Sequence, residues 1–441
     1  MLTIPLDTTA FAYPHISLPP VWTVRQTMEA PVLPDIAGAV CQAVDVLWQD
    51  PRLRPGASVA VGVGSRGINN LLTIVRTTVY ELIRRGANPF LVPAMGSHGG
   101  ATAEGQVDVL AGYGITQESV GVPIHATMEV AQVGTLEDGY PVYFDCNALA
   151  ADAVLVINRI KPHTDFTGEI ESGIAKMCAI GLGKQKGASL IHDFGADGLR
   201  EIMPRIARKL VETVNIVGGI AIIENPFGQT AEIHPLPAAE VAREREKELL
   251  CRARELCPRL PFKSLDVLVI DQMGKDISGT GMDTHVIGRV RMPSIPESRW
   301  DGPDVRMICV LDLTDRTHGN AAGLGLADIT TRRLIERVDF TATFMNYRTS
   351  GEGCAYRARI PIVLENAQEA VKAAIALCGR GRRESVRLAR IRNTEFVQIM
   401  EVSKSLLEEV RHNPHLQIVA EAHPLDLSQP LLPSGVAEEY R

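Results

Sequence analysis

A chain of 441 residues, 45% hydrophobic and 22% charged, has room for two or three hydrophobic cores and the composition of a water-soluble globular protein. Its formal net charge of −7 argues against a nucleic-acid partner, because phosphate binding wants a basic face. No apolar run approaches the ~18 residues of a membrane span, no charged-then-apolar leader opens the chain, and the eight cysteines are scattered, so we expect a cytoplasmic protein with reduced thiols, no membrane partner and no structural zinc.

Residues 1–35 are proline-rich and mix strand-like pieces with turns. A helix is predicted from Pro34 to Trp48, with Ile36, Val40, Ala43 and Val44 on one side and a break at Pro51, Pro55 and Gly56. A pattern then repeats. Ser58–Val63 reads as a buried strand ending in Gly64-Ser65-Arg66-Gly67, and an amphipathic helix follows from Leu71 to Arg85. Phe90–Met95 reads as the next strand, ending in Gly96-Ser97-His98-Gly99-Gly100, with a helix from Thr102 to Gly112. Strand–helix–strand with short loops predicts a parallel α/β unit. Short strands and a hairpin at Asp138-Gly139 follow, then a third buried strand at Ala153–Ile157. Helices are predicted over Gly181–Ile191 and Ile202–Val214, a strand over Asn215–Ile223, and a long charged connector helix within Pro235–Pro258.

Leu265–Asp271 begins a second α/β unit, and its strand ends in a Gly-rich loop carrying Lys275, Asp276 and Asp283. Strands are predicted at Arg306–Leu313 and Arg357–Leu364, and helices at Thr331–Arg337, Asn366–Leu377 and Glu395–Glu409. The fold class is therefore α/β, with two α/β domains, parallel-type sheets and an active-site cleft between them. Residues 1–262 form the catalytic and cofactor-binding domain. Residues 263–441 form the second, whose last helix is a candidate to return to the first.

The densest reactive stretch is Asn158–Asp193. It holds His163 and His192, Cys178, and the cations Arg159, Lys161, Lys176, Lys184 and Lys186. In an open parallel sheet ligands bind beyond the carboxyl ends of the strands, so Arg66, His98 and the His163 loop are predicted to share one rim. Plain roles stay open for each: a surface arginine, a polar loop histidine, a satisfied buried His192. Lys184-Gln185-Lys186 after Gly181-Leu182-Gly183 suggests a phosphate loop, although the Walker pattern is absent. Cys178 reads as inert core, and the charged run 241–248 as a solvated helix face. An arginine fork binds a carboxylate, and two imidazoles on opposite sides of a carbon exchange a proton in both directions. That chemistry suits inversion at a hydroxyl-bearing carbon next to a carboxylate.

These residues resemble the nickel-dependent lactate racemase family, which inverts 2-hydroxy acids with a nickel-pincer nucleotide. The resemblance rests on Ser65-Arg66, Gly96-Ser97-His98 with Thr102-Ala103-Glu104, His163, Lys176 within Gly173-Ile-Ala-Lys-Met, and His192. It implies that Arg66 holds substrate, His98 and His163 are the acid/base pair, and His192 is the protein ligand of nickel. Lys176 matches the lysine that can be joined to the cofactor. Ser65, Lys184 and Lys186 fall in the cofactor-binding set. Lys275, Asp283 and His285 are the substrate-binding candidates of the second domain. The chain departs from the family at Val63, where an acidic residue is expected, and between His163 and Lys176, where the interval is longer. Covalent attachment at Lys176 is therefore left open. The polar loop 275–285 points to a polyhydroxylated sugar acid such as gluconate rather than lactate. The implied partners are a small 2-hydroxy acid and the enzymes that make the cofactor, with a homo-oligomer left open. Two other readings stand beside this one: a mononuclear zinc hydrolase using His98, His163 and His192, and a non-catalytic metabolite-binding protein.

Overall fold

In a computed structural model of the protein, residues 7, 12–65, 67–349 and 353–431 are described. They belong to two units, Glu29–Cys257 and Met1–Met28 together with Pro258–Arg441. The first strand, β1 (Val21–Gln26), departs from the expected division at residue 262. It pairs with strands near the C-terminus, Val21 opposite Ser403 on one side and opposite His423 on the other. Val21 and Val24 are fully buried there. Nothing local in a proline-rich segment signals a partner almost 400 residues away.

The Glu29–Cys257 unit contains β2 (Ser58–Val63), β3 (Asn88–Pro93), β4 (Val130–Thr135), β5 (Pro141–Asp145), β6 (Ala153–Arg159), β7 (Ile216–Glu224) and β8 (Thr230–Pro237). Among the described residues its main sheet has the order β3-β2-β6-β7-β8, with the first four strands parallel and β8 antiparallel. β4 and β5 form the hairpin expected at Asp138-Gly139. β2 and β6 are near-continuous runs of Val, Ile, Leu and Ala, buried along most of their length, as a parallel sheet covered on both faces requires. Helix Leu71–Arg84 buries Ile74, Val75, Val79 and Leu82 in the same core. Helix starts follow capping chemistry: Asp35 accepts from the Gly38 amide at 2.8 Å, and Thr102 accepts from the Gly105 amide at 3.0 Å.

The other unit contains β9 (Ser264–Met273), β10 (Asp304–Leu313), β11 (Ile329–Thr331), β12 (Ile362–Leu364), β13 (Leu388–Ile391), β14 (Ile399–Ser403) and β15 (Leu416–His423). With β1 they form one sheet in the order β12-β11-β10-β9-β13-β14-β1-β15. The strands from β12 to β13 run parallel, and the remainder of the sheet is antiparallel. Both units are thus α/β with parallel sheets. Two readings are corrected here. The strand expected at Arg357–Leu364 is confined to Ile362–Leu364, after Pro361. The helix expected over Glu395–Glu409 is β14 followed by a short helix, Leu407–His412. Its charged and polar residues misled, because Glu401 and Ser403 are buried inside the sheet, against Arg390 and against the Val386 carbonyl. Leu407 and Val410 of that helix belong to this unit's own core. No helix among the described residues is long and apolar enough to cross a membrane.

Candidate functional site

β2, β3 and β6 are neighbouring parallel strands, so the loops that follow them leave the same edge of the sheet. All three loops meet one segment: a helical turn, Gly173–Lys176, continued by a wide π-helical turn, Met177–Gly181. The Asn158 amide at the end of β6 donates to the Gly173 carbonyl at 3.1 Å, and the Gly96 amide beyond β3 donates to the Gly181 carbonyl at 3.1 Å. Gly64 beyond β2 lies so close that a Cβ there would stand 3.2 Å from Met177 Sδ. Ser65, His98 and the His163 loop therefore border one short segment, which itself carries Lys176. Arg66 lies outside the described residues.

His98 is exposed on this rim. Its Nδ1 stands 2.5 Å from Ser65 Oγ, and the Ser65 carbonyl accepts from the Tyr113 hydroxyl at 2.9 Å. A hydroxyl donates or accepts, so either neutral tautomer of His98 is supported. From below, the buried Gln106 donates to the Gly96 carbonyl at 2.9 Å and the His98 carbonyl at 3.3 Å. Gln106 in turn accepts from Lys184 Nζ at 3.0 Å.

That bond corrects the reading of Lys184 as a phosphate contact. Its ammonium is fully buried and also meets the Pro93 carbonyl at 2.5 Å and the Asp145 carboxylate at 3.1 Å. Two hydrogen bonds and an ion pair hold the ammonium inside the protein, where its full burial closes it to a ligand on the rim. Burial lowers the Lys184 pKa and raises that of Asp145, while each partner's charge opposes the shift. Lys186, two residues on, is exposed, with its ammonium 4.3 Å from the centre of the Tyr143 ring. Cys178 is buried and its thiol is pushed far up by burial, so it has no nucleophilic character.

The His163 loop is clasped by Glu171, whose fully buried carboxylate accepts from the His163 and Gly168 amides at 2.8 Å and from Arg254 at 2.6 Å. The His163 ring lies against buried Phe166, 4.7 Å between centroids. Its Nδ1 accepts from the Asp165 amide at 3.1 Å, which puts the proton of the neutral ring on Nε2. The Asp165 carboxylate, 3.9 Å from Nδ1, is beyond hydrogen-bond reach but stands as an ion-pair partner when the ring is charged. Asp165 also acts on His192. Burial first, then the charge of Lys176, hold His192 below the ordinary imidazole range, while Asp165 and Asp193 pull the other way. Lys176, Asp165 and His192 thus form one electrostatic cluster in which the imidazole is kept neutral.

Sequence reasoning missed Glu246. Its buried carboxylate accepts from the Ala175 amide at 3.0 Å and the Ala242 amide at 2.7 Å, so it anchors the turn that carries Lys176. Burial pushes its pKa up to about 7. Gly173, at φ +84°, leaves the room: a Cβ there would stand 2.6 Å from Glu246 Oε1. The signal was the helical stripe Glu246, Leu249, Leu250, Ala253, all buried, inside a run that reads as a solvated face.

In the C-terminal unit, Asp283 accepts from the His285 amide at 2.9 Å, and its own amide donates to Thr394 Oγ1 at 2.9 Å. Lys275 Nζ donates to the Gly279 carbonyl at 2.5 Å. His285 is only 8% exposed and stacks on Trp300 with 4.6 Å between ring centroids. It is a packing residue of the loop rather than an open substrate contact. Among the described residues no three His, Cys, Asp or Glu side chains are grouped to hold a metal ion. A zinc hydrolase needs three protein ligands, so the three-histidine alternative lacks its ligand set.

No family model and no curated protein matches the chain. Among solved structures it is similar to the lactate racemase apoprotein from Thermoanaerobacterium thermosaccharolyticum, at 13% sequence identity over 89% of this chain and 92% of that chain, with a TM-score of 0.46.

Proposed function

We propose that the protein is an isomerase that inverts the hydroxyl-bearing carbon of a 2-hydroxy acid, as a racemase or 2-epimerase, and that its substrate is a polyhydroxylated sugar acid such as gluconate. The observation that carries this reading is the ring of groups around Gly173–Gly181: His98 and His163 delivered from two different strand ends, with Lys176 beside a neutral, half-buried His192. The implied cofactor is the nickel-pincer nucleotide, which when bound takes hydride from C2 and returns it. It asks one ligand of the protein, and a neutral imidazole supplies one. His192 would hold the nickel. Lys176 would meet the nucleotide, by charge or by a covalent bond.

The chain's own work is proton transfer and orientation. His98, steadied at Nδ1 by Ser65, takes the substrate hydroxyl proton when its Nε2 is bare. His163, whose neutral form carries its proton on Nε2, gives or shares a proton on the opposite side, and the Asp165 carboxylate supports its charged form. Arg66 is assigned the substrate carboxylate on the resemblance alone. The enzymes that build the cofactor are the implied macromolecular partners, and the cytoplasm is the implied compartment.

The test is to produce the chain together with cofactor-synthesis enzymes, measure its metal content and intact mass, and follow D-gluconate and lactate by chiral chromatography. Expected are bound nickel that is lost in His192→Ala and epimerisation of the sugar acid. Turnover of lactate alone overturns the substrate assignment. Absence of nickel, or full activity in His98→Asn, overturns the reaction. A mass adduct that disappears in Lys176→Ala establishes attachment at that residue.

A further inference from the structure

Helix Met203–Thr213 is entered through a second π-helical turn, Gly198–Ile202. A π-helical turn takes in an extra residue, and such turns are frequent at functional sites. The extra residue shifts Arg200 toward the helix face that carries Arg205 and Arg208, because intervals of four and seven residues share a face whereas five and eight do not. All three arginines line one cavity of about 360 Å³ in the N-terminal unit. Gly168, Glu169 and Ile170, the continuation of the loop that carries His163, are also in its walls. Ser65, His98, His163, Lys176 and His192 are not, so the cavity is separate from the groups assigned above to the reaction.

These guanidinium groups are half-buried, and the donors they leave unpaired still reach solvent. Arg200 donates from Nε to the Thr167 carbonyl at 3.0 Å and from Nη1 to Asp197 at 3.1 Å. Arg205 donates from Nη1 to Asp138 at 2.7 Å. Arg208 donates from Nη1 to the Ala242 carbonyl at 3.1 Å and has no carboxylate partner among the described residues. A guanidinium carries five N–H donors, so each keeps several for a ligand. Asp138 and Asp197 are themselves exposed, and exposed ion pairs of this kind are weak enough for an incoming anion to compete with them. The cavity's own charges are three arginines against Glu169 and Glu201, and Glu169 is answered by Lys247 at 2.8 Å.

We infer that this cavity binds a small hydroxylated phosphate monoester through Arg200, Arg205 and Arg208. A phosphate monoester presents three acceptor oxygens and close to two negative charges, which three guanidinium groups can share, whereas a carboxylate has two oxygens and is answered by a single fork. The volume falls in the ~300–1,000 Å³ range of small-molecule sites, so it has room for an organic body beside the phosphate. Ile170, Pro204 and Ala242 give that body an apolar wall, and the exposed Glu201 carboxylate can accept from its hydroxyls. The inference does not rest on the isomerase reading, because it requires neither cofactor nor turnover.

The test uses the full chain without cofactor and isothermal titration, at matched ionic strength, with three ligands of one carbon skeleton: glycerol 3-phosphate, the carboxylate glycerate and neutral glycerol. Expected is saturable binding of glycerol 3-phosphate, glycerate at least tenfold weaker, and none of glycerol. Arg208→Gln and Arg205→Gln should each weaken glycerol 3-phosphate binding at least tenfold, and Arg208→Lys, which keeps the charge without the fork, severalfold. Arg84→Gln, which removes an equal charge from an exposed position on helix Leu71–Arg84, should leave binding unchanged. Failure of the wild type to bind glycerol 3-phosphate, glycerate binding as tightly, undiminished binding in the Arg205 and Arg208 variants, or an equal loss in Arg84→Gln overturns the inference. If Arg208→Gln does not fold, the wild-type ligand series and Arg205→Gln decide.

Discussion

The two units present the same architectural opportunity, a row of loops beyond parallel strand ends, and use it differently. In the N-terminal unit the loops are held from beneath by buried charges: Glu171 under the His163 loop, Glu246 behind the Lys176 turn, Lys184 and Asp145 below His98. The groups left on the rim include the imidazoles of His98 and His163. In the C-terminal unit the loop residues bond to one another. Residue type alone does not separate support from chemistry. Lys176 and Lys184 lie in the same stretch, yet one is half-buried beside His192 and the other is fully buried in an ion pair.

Substitutions can break this contrast, and the largest effect is expected on the rim itself. In cofactor-loaded protein, His98→Asn or His163→Asn should lower interconversion of the 2-hydroxy acid by roughly 10²–10⁴-fold. The urea midpoint should stay where it is, because neither ring is a core group. The support should behave oppositely. Lys184→Met strands a buried Asp145 and should cost about 3–5 kcal/mol in urea unfolding. Combining it with Asp145→Leu should recover most of that loss; a double variant as unstable as the single one would show that the pair is not the cause.

Glu246 gives a pH signature of the same support. Its folded pKa, about 7, lies above the ordinary 4.5, so its contribution is fully present below about pH 4.5 and is lost as pH rises through 7. At ~1.36 kcal/mol per pKa unit the loss approaches about 3 kcal/mol, and it should be absent in Glu246→Gln when denaturant midpoints are compared at pH 5 and pH 8. The smallest effect is expected at Ser65. Ser65→Ala removes one hydrogen bond to His98 and should reduce turnover roughly three- to tenfold while displacing the pH optimum. An unchanged pH profile would deny Ser65 its orienting role.

Much of the N-terminal rim was legible in the sequence. Buried strands of Val and Ile ending in glycines, followed by capped amphipathic helices, predict a parallel sheet, and a parallel sheet places Ser65, His98 and His163 on one edge. The parts that were not legible share one physical property. Lys184, Glu246 and Arg390 are charged residues turned inward, and a charge reads as solvent-facing unless its buried counterpart is known.

The sequence by itself determined the α/β class, the strand ends and the cluster of ionisable residues in Asn158–Asp193, because periodicity, caps and turn residues act over a few positions. Only the tertiary structure decided that β1 completes the C-terminal sheet, that Lys184 is a buried support and that His285 packs on Trp300. These outcomes depend on pairing and burial between residues far apart in the chain, and whether a charge supports the fold or faces a ligand follows from what surrounds it.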